Sequence, residues 1–342
     1  MPDRCVLELA FACNLKCRTC NIWRQEFEVR RRASGRLDFN EICDLQSCLA
    51  ASGIRQVSYV GGEPLLDQNI WEIIDQARQN RLSTALVTNG SLLDERSINR
   101  LLDSGLDTVI FSLDGPARIH DTIRGVKGTF RRVFQNILTL QRLKKAGKRR
   151  RPKVFIYTTI SRLNHRHLPG MLAVARKLDV NKLRFQLISV VGGDIAARTN
   201  ELFGRDVVGL HSYAVSGDLG LREAELAAVR PFLDRAGAWS QAVGIDLQVE
   251  TGLSQPDKAT RCTFIHHNFV VNPGGDLIPC PMLPGYTIGS LRQENLEALW
   301  GNERHRRFFR LFQRPGHLPI CAECCVEKMR GRAAGSGPSQ AV

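Results

Sequence analysis

No apolar run in this 342-residue chain is long enough to cross a bilayer, and its start, Met1-Pro2-Asp3-Arg4, lacks the basic-then-apolar layout of a secretory signal. These absences argue against a helical membrane protein and a secreted one, and the expected location is cytoplasmic. Acidic charge is also scarce: 48 Lys and Arg against 34 Asp and Glu leave a net charge of +14. That sign suits an anionic partner or substrate. The concentrated basic runs, Arg30-Arg31-Arg32 and Lys144-Lys145 with Lys148 to Arg151, carry no interleaved aromatics. They read as solvated loops, not as a nucleic-acid face. With 43% hydrophobic and 24% charged residues, the chain can bury a large core, and its length fits one sizeable α/β unit plus an appended module.

Disulfides are not expected in a reducing compartment, so the eleven cysteines need another explanation. Three of them, Cys13, Cys17 and Cys20, sit in a short loop straight after the apolar run Val6 to Phe11. What this loop lacks is a fourth ligand. A structural zinc site takes four protein ligands, and a four-iron cluster normally takes four cysteines, one per iron. Three close thiolates therefore suggest a cluster with one iron left open to a ligand that is not protein. A second group lies far downstream: Cys262, Cys280, Cys321, Cys324 and Cys325. Cys5, Cys43 and Cys48 stand apart, and the latter two, inside a predicted helix, read as small core residues.

Strand and helix signals alternate six times. Strands are predicted at Val6 to Phe11, Arg55 to Val60, Ser83 to Val87, Thr108 to Leu113, Val154 to Ile160 and Lys182 to Ile188. Asp38 caps the first helix, with Glu41 completing a capping box. This rhythm implies a parallel sheet with right-handed crossovers. Six units are too few for the closed eight-fold barrel, so the expected fold is α/β, a partial (β/α)6 TIM-like barrel. In such folds the carboxyl ends of the strands carry the site. Here the cysteine loop, Gly61-Gly62-Glu63-Pro64, Thr88-Asn89-Gly90 and Ser112-Leu113-Asp114-Gly115 all fall there. Further on, Val and Ile runs around Asn272-Pro273-Gly274-Gly275 read as a β-hairpin with Cys280 at its far end. A helix is expected over Glu223 to Trp239 and a strand over Ile245 to Val249.

The spacing CxxxCxxC followed by GGEP resembles the radical S-adenosylmethionine (SAM) superfamily. The hairpin with Gly-x4-Cys and a late Cys-x2-Cys resembles its twitch module, a shortened SPASM domain. The resemblance implies that Cys13, Cys17 and Cys20 hold a [4Fe-4S] cluster whose open iron binds SAM. It places Gly61, Gly62, Glu63 and Pro64 at the SAM amino group. Ser112 and Asp114 would stand near its ribose or carboxylate with Thr88 and Asn89 beside them, Arg124 on its carboxylate, and Gln186 near the adenosine. The family's aromatic residue before the third cysteine is replaced by Thr19, so adenine is expected at Ile22 or Trp23. Trp23 reads equally as core packing. The resemblance further implies one auxiliary [4Fe-4S] cluster on Cys262, Cys280 and Cys321, with Cys324 or Cys325 as fourth ligand. A structural zinc site is the alternative.

Four regions are expected: residues 1–190 as the partial barrel, 191–260 as linking and substrate-lining elements, 261–330 as a small C-terminal β-hairpin/helix cluster-binding module, and 331–342 as a disordered tail. Val191-Gly192-Gly193-Asp194 is expected to line the substrate pocket. The implied reaction is reductive cleavage of SAM to a 5′-deoxyadenosyl radical, hydrogen abstraction, and oxidation of the substrate with the auxiliary cluster as electron acceptor. Asp194, Glu250 and Asp276 are the candidate bases. The first strand begins almost at once, leaving no room for a peptide-recognition domain. The expected substrate is therefore a small molecule, such as a sugar, aminocyclitol or nucleoside of natural-product biosynthesis. A peptide or protein maturase, or a non-oxidative decarboxylase or epimerase, is the alternative. The electron donor would be an external flavodoxin or ferredoxin.

Overall fold

The computed structural model describes residues 2–23, 35–208, 217–250, 262, 264–313 and 318–324. Cys325, the run Arg30-Arg31-Arg32 and the tail from residue 331 lie outside the described residues.

Six strands follow the expected alternation, β1 (Arg4–Ala10), β2 (Gln56–Gly61), β3 (Ser83–Thr88), β4 (Thr108–Ser112), β5 (Lys153–Ile160) and β6 (Lys182–Leu187), and β7 (Asp246–Glu250) comes after them. Between and after them run α1 (Phe39–Ala51), α2 (Ile70–Gln79), α3 (Glu95–Asp103), α4 (Ala117–Arg124), α5 (Thr129–Ala146), α6 (Pro169–Lys177), α7 (Gly193–Phe203) and α8 (Glu223–Val243). The last third adds α9 (Phe264–His267), β8 (Asn268–Val271), β9 (Asp276–Ile278), β10 (Gly289–Ser290), α10 (Leu296–Leu299) and α11 (Glu303–Phe312). Local chemistry sets the boundaries. Asp38 and Glu41 form the reciprocal capping box that starts α1, and Asp94 with Ser97 does the same for α3.

The ten strands among the described residues form one open sheet in the order β10-β9-β8-β1-β2-β3-β4-β5-β6-β7. From β8 to β7 every pairing is parallel, and the hairpin strands β9 and β10 are antiparallel. The strand expected within a linking region is thus a seventh parallel strand, because β7 pairs along β6 from Lys182↔Asp246 to Gln186↔Glu250. The hairpin is joined to the barrel in the same way. β8 pairs directly with β1, from Arg4↔Asn268 to Leu7↔Val271.

Each strand turns one row of side chains towards the helices and one towards the concave face. On β1, Cys5, Leu7 and Leu9 are fully or almost fully buried in the core, while Val6 and Glu8 point the other way. Pairing Glu8 with Val60 on β2 puts both side chains on the concave face.

Val191-Gly192-Gly193-Asp194 leads into α7, with Gly192 as its N-cap and Asp194 exposed in its first turn. Two sequence expectations are corrected. Cys43 and Cys48 are not core residues. The buried face of α1 is Ile42, Leu45, Gln46 and Leu49, which leaves Cys43 half-buried and Cys48 exposed. The second basic run is not simply a loop. Lys144 and Lys145 are in the last turn of α5, and Lys145, Arg149 and Arg151 pair with Asp179, Asp103 and Asp107.

Burial pushes the Glu8 carboxyl up to about 7, well above the ordinary glutamate value. A raised carboxyl pKa stabilises the fold while the group is protonated, and that contribution is lost as pH rises through about 7. Relative to Glu8→Gln, the wild-type enzyme is therefore expected to lose up to about 3 kcal/mol of stability between pH 5 and pH 8. Urea midpoints of the two proteins across that range test this, and parallel curves would refute it.

Candidate active site

The carboxyl ends of β1 to β4 converge on a cavity of about 140 Å³. Its walls include Cys13, Cys17 and Cys20, the glycines Gly61 and Gly62, Glu63, Thr88, Asn89, Ser112 and Arg124. Ile22 and Trp23 also line it. Trp23 is exposed rather than packed in the core, and its indole Nε1 donates to the Cys17 carbonyl at 2.9 Å.

The cysteine loop is held by backbone contacts. Gly62 N donates to the Ala10 carbonyl at 2.6 Å and Glu63 N to the Ala12 carbonyl at 2.9 Å. The glycines are needed for this approach. A Cβ on Gly61 would stand 2.4 Å from the Ala10 carbonyl oxygen, and one on Gly62 would stand 2.1 Å from that of Ala12. Their close backbone approach is made to Ala10 and Ala12, where the cysteine loop begins. On the other side, Arg18 N donates to the Ile123 carbonyl at 2.8 Å, and a Cβ on Gly125 would come 2.6 Å from the Lys16 carbonyl.

Glu63 is almost fully buried. Its carboxylate accepts from Thr88 Oγ1 at 2.6 Å, from Asn89 N at 2.8 Å and from Leu65 N at 3.2 Å. Burial raises its pKa, against the pull of these three donors and the Arg124 charge. Arg124 Nη2 pairs with Asp114 Oδ2 at 2.7 Å, and its Nη1 lies 3.7 Å from Cys17 Sγ. Asp114 also accepts from Thr159 N at 3.1 Å. Gln186 is more distant in the sheet, on β6, with a long 3.5 Å contact to Thr159 Oγ1.

Two neighbours escaped the sequence reading. Asn89 Nδ2 donates to Asn14 Oδ1, Asn14 Nδ2 to Ser91 Oγ, and Ser91 Oγ to Asn89 Oδ1, at 2.9, 2.9 and 2.6 Å. This closed ring ties the cysteine loop to the end of β3. Asn14, between two cysteines of the loop, was the available signal.

The late cysteines collect on the amino-end side of β1. Cys262 precedes α9 and β8, and Cys280 follows β9, whose Ile278 pairs with Val270. Cys262 and Cys321 are close enough for their charges to add to the burial that raises the Cys280 thiol. Cys324 N donates to the Cys321 carbonyl at 3.1 Å in the turn Pro319–Glu323. Of the candidate bases, Asp276 is bound within the hairpin turn by Asn272, and Glu250 ends β7.

Among the described residues, no group of three His, Cys, Asp or Glu is arranged to hold a single metal ion. A four-iron cluster does not require one, because each cysteine binds a different iron. The donor set suits that cluster: three thiols line one wall, and the buried Arg124 Nε, which has no hydrogen-bond partner, supplies cationic N–H beside them. Burial pushes the Cys13 and Cys20 thiols up to about 11, so binding the iron must displace their protons.

The profile of the radical SAM superfamily matches residues 7–200, more than half of the chain. The protein belongs to the radical SAM superfamily. The SPASM iron-sulfur cluster-binding domain matches residues 262–325. As a radical SAM enzyme with a SPASM domain, it binds SAM and a [4Fe-4S] cluster and carries auxiliary iron-sulfur ligation. The chain is similar to a PqqA peptide cyclase of Granulibacter bethesdensis, 24% identical over 87% of this chain and 74% of the relative. It is equally similar to a pre-heme d1 synthase of Dinoroseobacter shibae, 24% identical over 86% and 72%. In fold it matches Streptococcus suis SuiB bound to the precursor peptide SuiA (TM-score 0.68, 13% identity, 96% of this chain and 71% of that one). It also matches anSMEcpe with bound AdoMet (TM-score 0.67, 17% identity, 96% and 88%). Among the described residues no helix is long and apolar enough to cross a membrane.

Gly62→Ala is expected to push the cysteine loop away from β2, because the methyl group would meet backbone, not a yielding side chain. Iron and sulfide content after anaerobic reconstitution should fall several-fold while far-ultraviolet circular dichroism stays native. Full cluster loading in the variant would show that the contact is dispensable.

Proposed function

We propose that this enzyme carries out a net two-electron oxidation of a substrate held on the concave face of the sheet, between its two cysteine sets. The observation that supports this most is the pairing of β8 with β1. The first cysteine set follows the carboxyl end of β1, and the hairpin places Cys262 and Cys280 towards its amino end. Seven residues of strand separate those ends by roughly 20 Å.

When bound, the first cluster and SAM supply hydrogen-atom abstraction from an unactivated carbon, and the auxiliary cluster supplies a one-electron acceptor. In this reading Cys13, Cys17 and Cys20 hold the first cluster, while Gly61, Gly62, Glu63, Thr88, Asn89 and Ser112 wall the SAM pocket. Cys262, Cys280 and Cys321 hold the auxiliary cluster, with Cys324 or Cys325 as the fourth ligand. An alcohol or amine that is oxidised must also lose a proton. Asp194 is exposed on α7 and Asp276 is engaged in its turn, whereas Glu8 projects from the middle of β1 onto the concave face. With its pKa near 7, the Glu8 carboxylate suits that proton. The electron donor in this reading is an external flavodoxin or ferredoxin. We retain residues 1–190 and 261–330 as the two functional regions, joined by one continuous sheet.

For the substrate, a peptide has the broader support, since a relative aligned over most of the chain is a PqqA peptide cyclase. Oxidation of a sugar, aminocyclitol or nucleoside is the second reading. It is favoured by Thr159 and Gln186, whose polar side chains lie near the carboxyl ends of β5 and β6 and suit hydroxyl groups.

Anaerobic reconstitution should load about eight irons per chain. Incubation with dithionite, SAM, and peptides and small molecules from the products of neighbouring genes should yield 5′-deoxyadenosine and a product lighter by two hydrogens, with more than one turnover per reducing equivalent. Replacing Cys13, Cys17 and Cys20 together by Ala should abolish 5′-deoxyadenosine. A stoichiometric demand for reductant would exclude the oxidative reading.

A further inference from the structure

The family resemblance assigns Arg124 to the SAM carboxylate, and in the structure its guanidinium contacts Asp114 and Cys17. It is the last residue of α4, and that end of the helix is fixed to the cysteine loop by the Arg18–Ile123 backbone bond and by Gly125 packed on the Lys16 carbonyl. Its side chain is only 13% exposed. One nitrogen of the guanidinium pairs with Asp114, itself 2% exposed, at 2.7 Å, and another lies 3.7 Å from Cys17 Sγ. Its charge also reaches Cys20 and Glu63. Among the described residues that line the cavity, Arg124 is the only cation.

We propose that Arg124 is a positioning residue that sets the reduction potential of the cluster ligated by Cys13, Cys17 and Cys20, with Asp114 anchoring its guanidinium and moderating its charge. Reduction adds one electron to an already anionic cluster, delivered by a one-electron reductant. A cation at the ligand sulfur favours the reduced form, and a carboxylate nearby opposes it. The medium at this buried site screens such charges weakly. The two partners must therefore act with opposite sign. A residue serving only to hold the SAM carboxylate would leave the SAM-free potential unchanged, and a merely structural pair would not give opposite shifts.

The proposal rests on the radical SAM assignment. A wild-type protein that fails to load a cluster would refute the assignment itself, before any comparison of variants. The test is a redox titration of the reconstituted enzyme without SAM, followed by electron paramagnetic resonance. In Arg124→Gln the reduced fraction relative to oxidised should fall about tenfold at a given poise, equivalent to about 59 mV for a one-electron couple. In Asp114→Asn it should rise by a similar factor. Arg124→Lys keeps the charge without the planar fork and should fall between wild type and Arg124→Gln; with Asp114→Asn it preserves the comparison if Arg124→Gln does not fold. Equal potentials in all variants, or shifts of one sign in both Arg124→Gln and Asp114→Asn, would overturn the proposal. A raised Kd for SAM in Arg124→Gln at unchanged potential would return Arg124 to the SAM carboxylate.

Discussion

The site depends on a backbone contact more than on any side chain. Two peptide N–H groups at the end of β2 donate to two carbonyls at the end of β1, and the cysteine loop starts immediately afterwards. A loop of eight residues carrying three ligands has too many conformers to hold a cluster in one geometry unless something else limits them. Here the limit comes from both sides, from Gly61 and Gly62 against residues 10–12 and from Ile123 to Gly125 against residues 16–18. At Gly61, Gly62 and Gly125 the approach is close enough to exclude a Cβ. Glu63 then extends the same constraint inward, since its buried carboxylate bonds the end of β3 and fixes the third strand relative to the first two.

The same strand relates the two cysteine sets. Because β8 adds to the free edge of β1 in parallel, the hairpin tip rises towards the cysteine loop and the hairpin base, with its cysteines, stays at the other end. The concave face between them is where a substrate could meet both. That face also places a carboxylate, Glu8, in a strand whose other neighbours are mostly apolar, and the cost of its charge there is the physical cause of its raised pKa.

The barrel was legible because its strands are short apolar runs separated by capped helices, and the first capping box is formed by the same two side chains that the pattern indicates. What stayed hidden were long-range pairings. The alternation in Ile245 to Val249 says strand, but nothing local says that it joins β6. The hairpin could be read around Asn272, yet its attachment to β1 depends on an edge more than two hundred residues earlier. Within the site, the cysteine spacing singled out three thiols that the fold brings to one cavity, while the Asn14-Asn89-Ser91 ring was hidden because amides in loops are common and their partners are set only by the fold. Glu8 was not among the candidate bases read from the sequence, although a carboxylate in an apolar strand is a local conflict of the kind that functional sites tolerate.

The chain's excess of positive charge gains meaning from where it is buried. Many of its arginines and lysines pair at the surface, as Arg78 does with Asp75 or Lys145 with Asp179, where an ion pair contributes about 0–1 kcal/mol. Arg124 and Asp114 are different, for they are withdrawn from water beside the cysteine wall. Desolvating such a pair costs several kcal/mol, and well-packed apolar residues in its place are often no less stable. Folding stability alone is therefore a weak reason for an arginine at this position. A group that repays the cost must itself be charged and must be missing from the bare polypeptide. The anionic iron-sulfur cluster proposed for Cys13, Cys17 and Cys20 would meet both conditions, and Arg124 Nε, which has no hydrogen-bond partner among the described residues, would be the donor left for it.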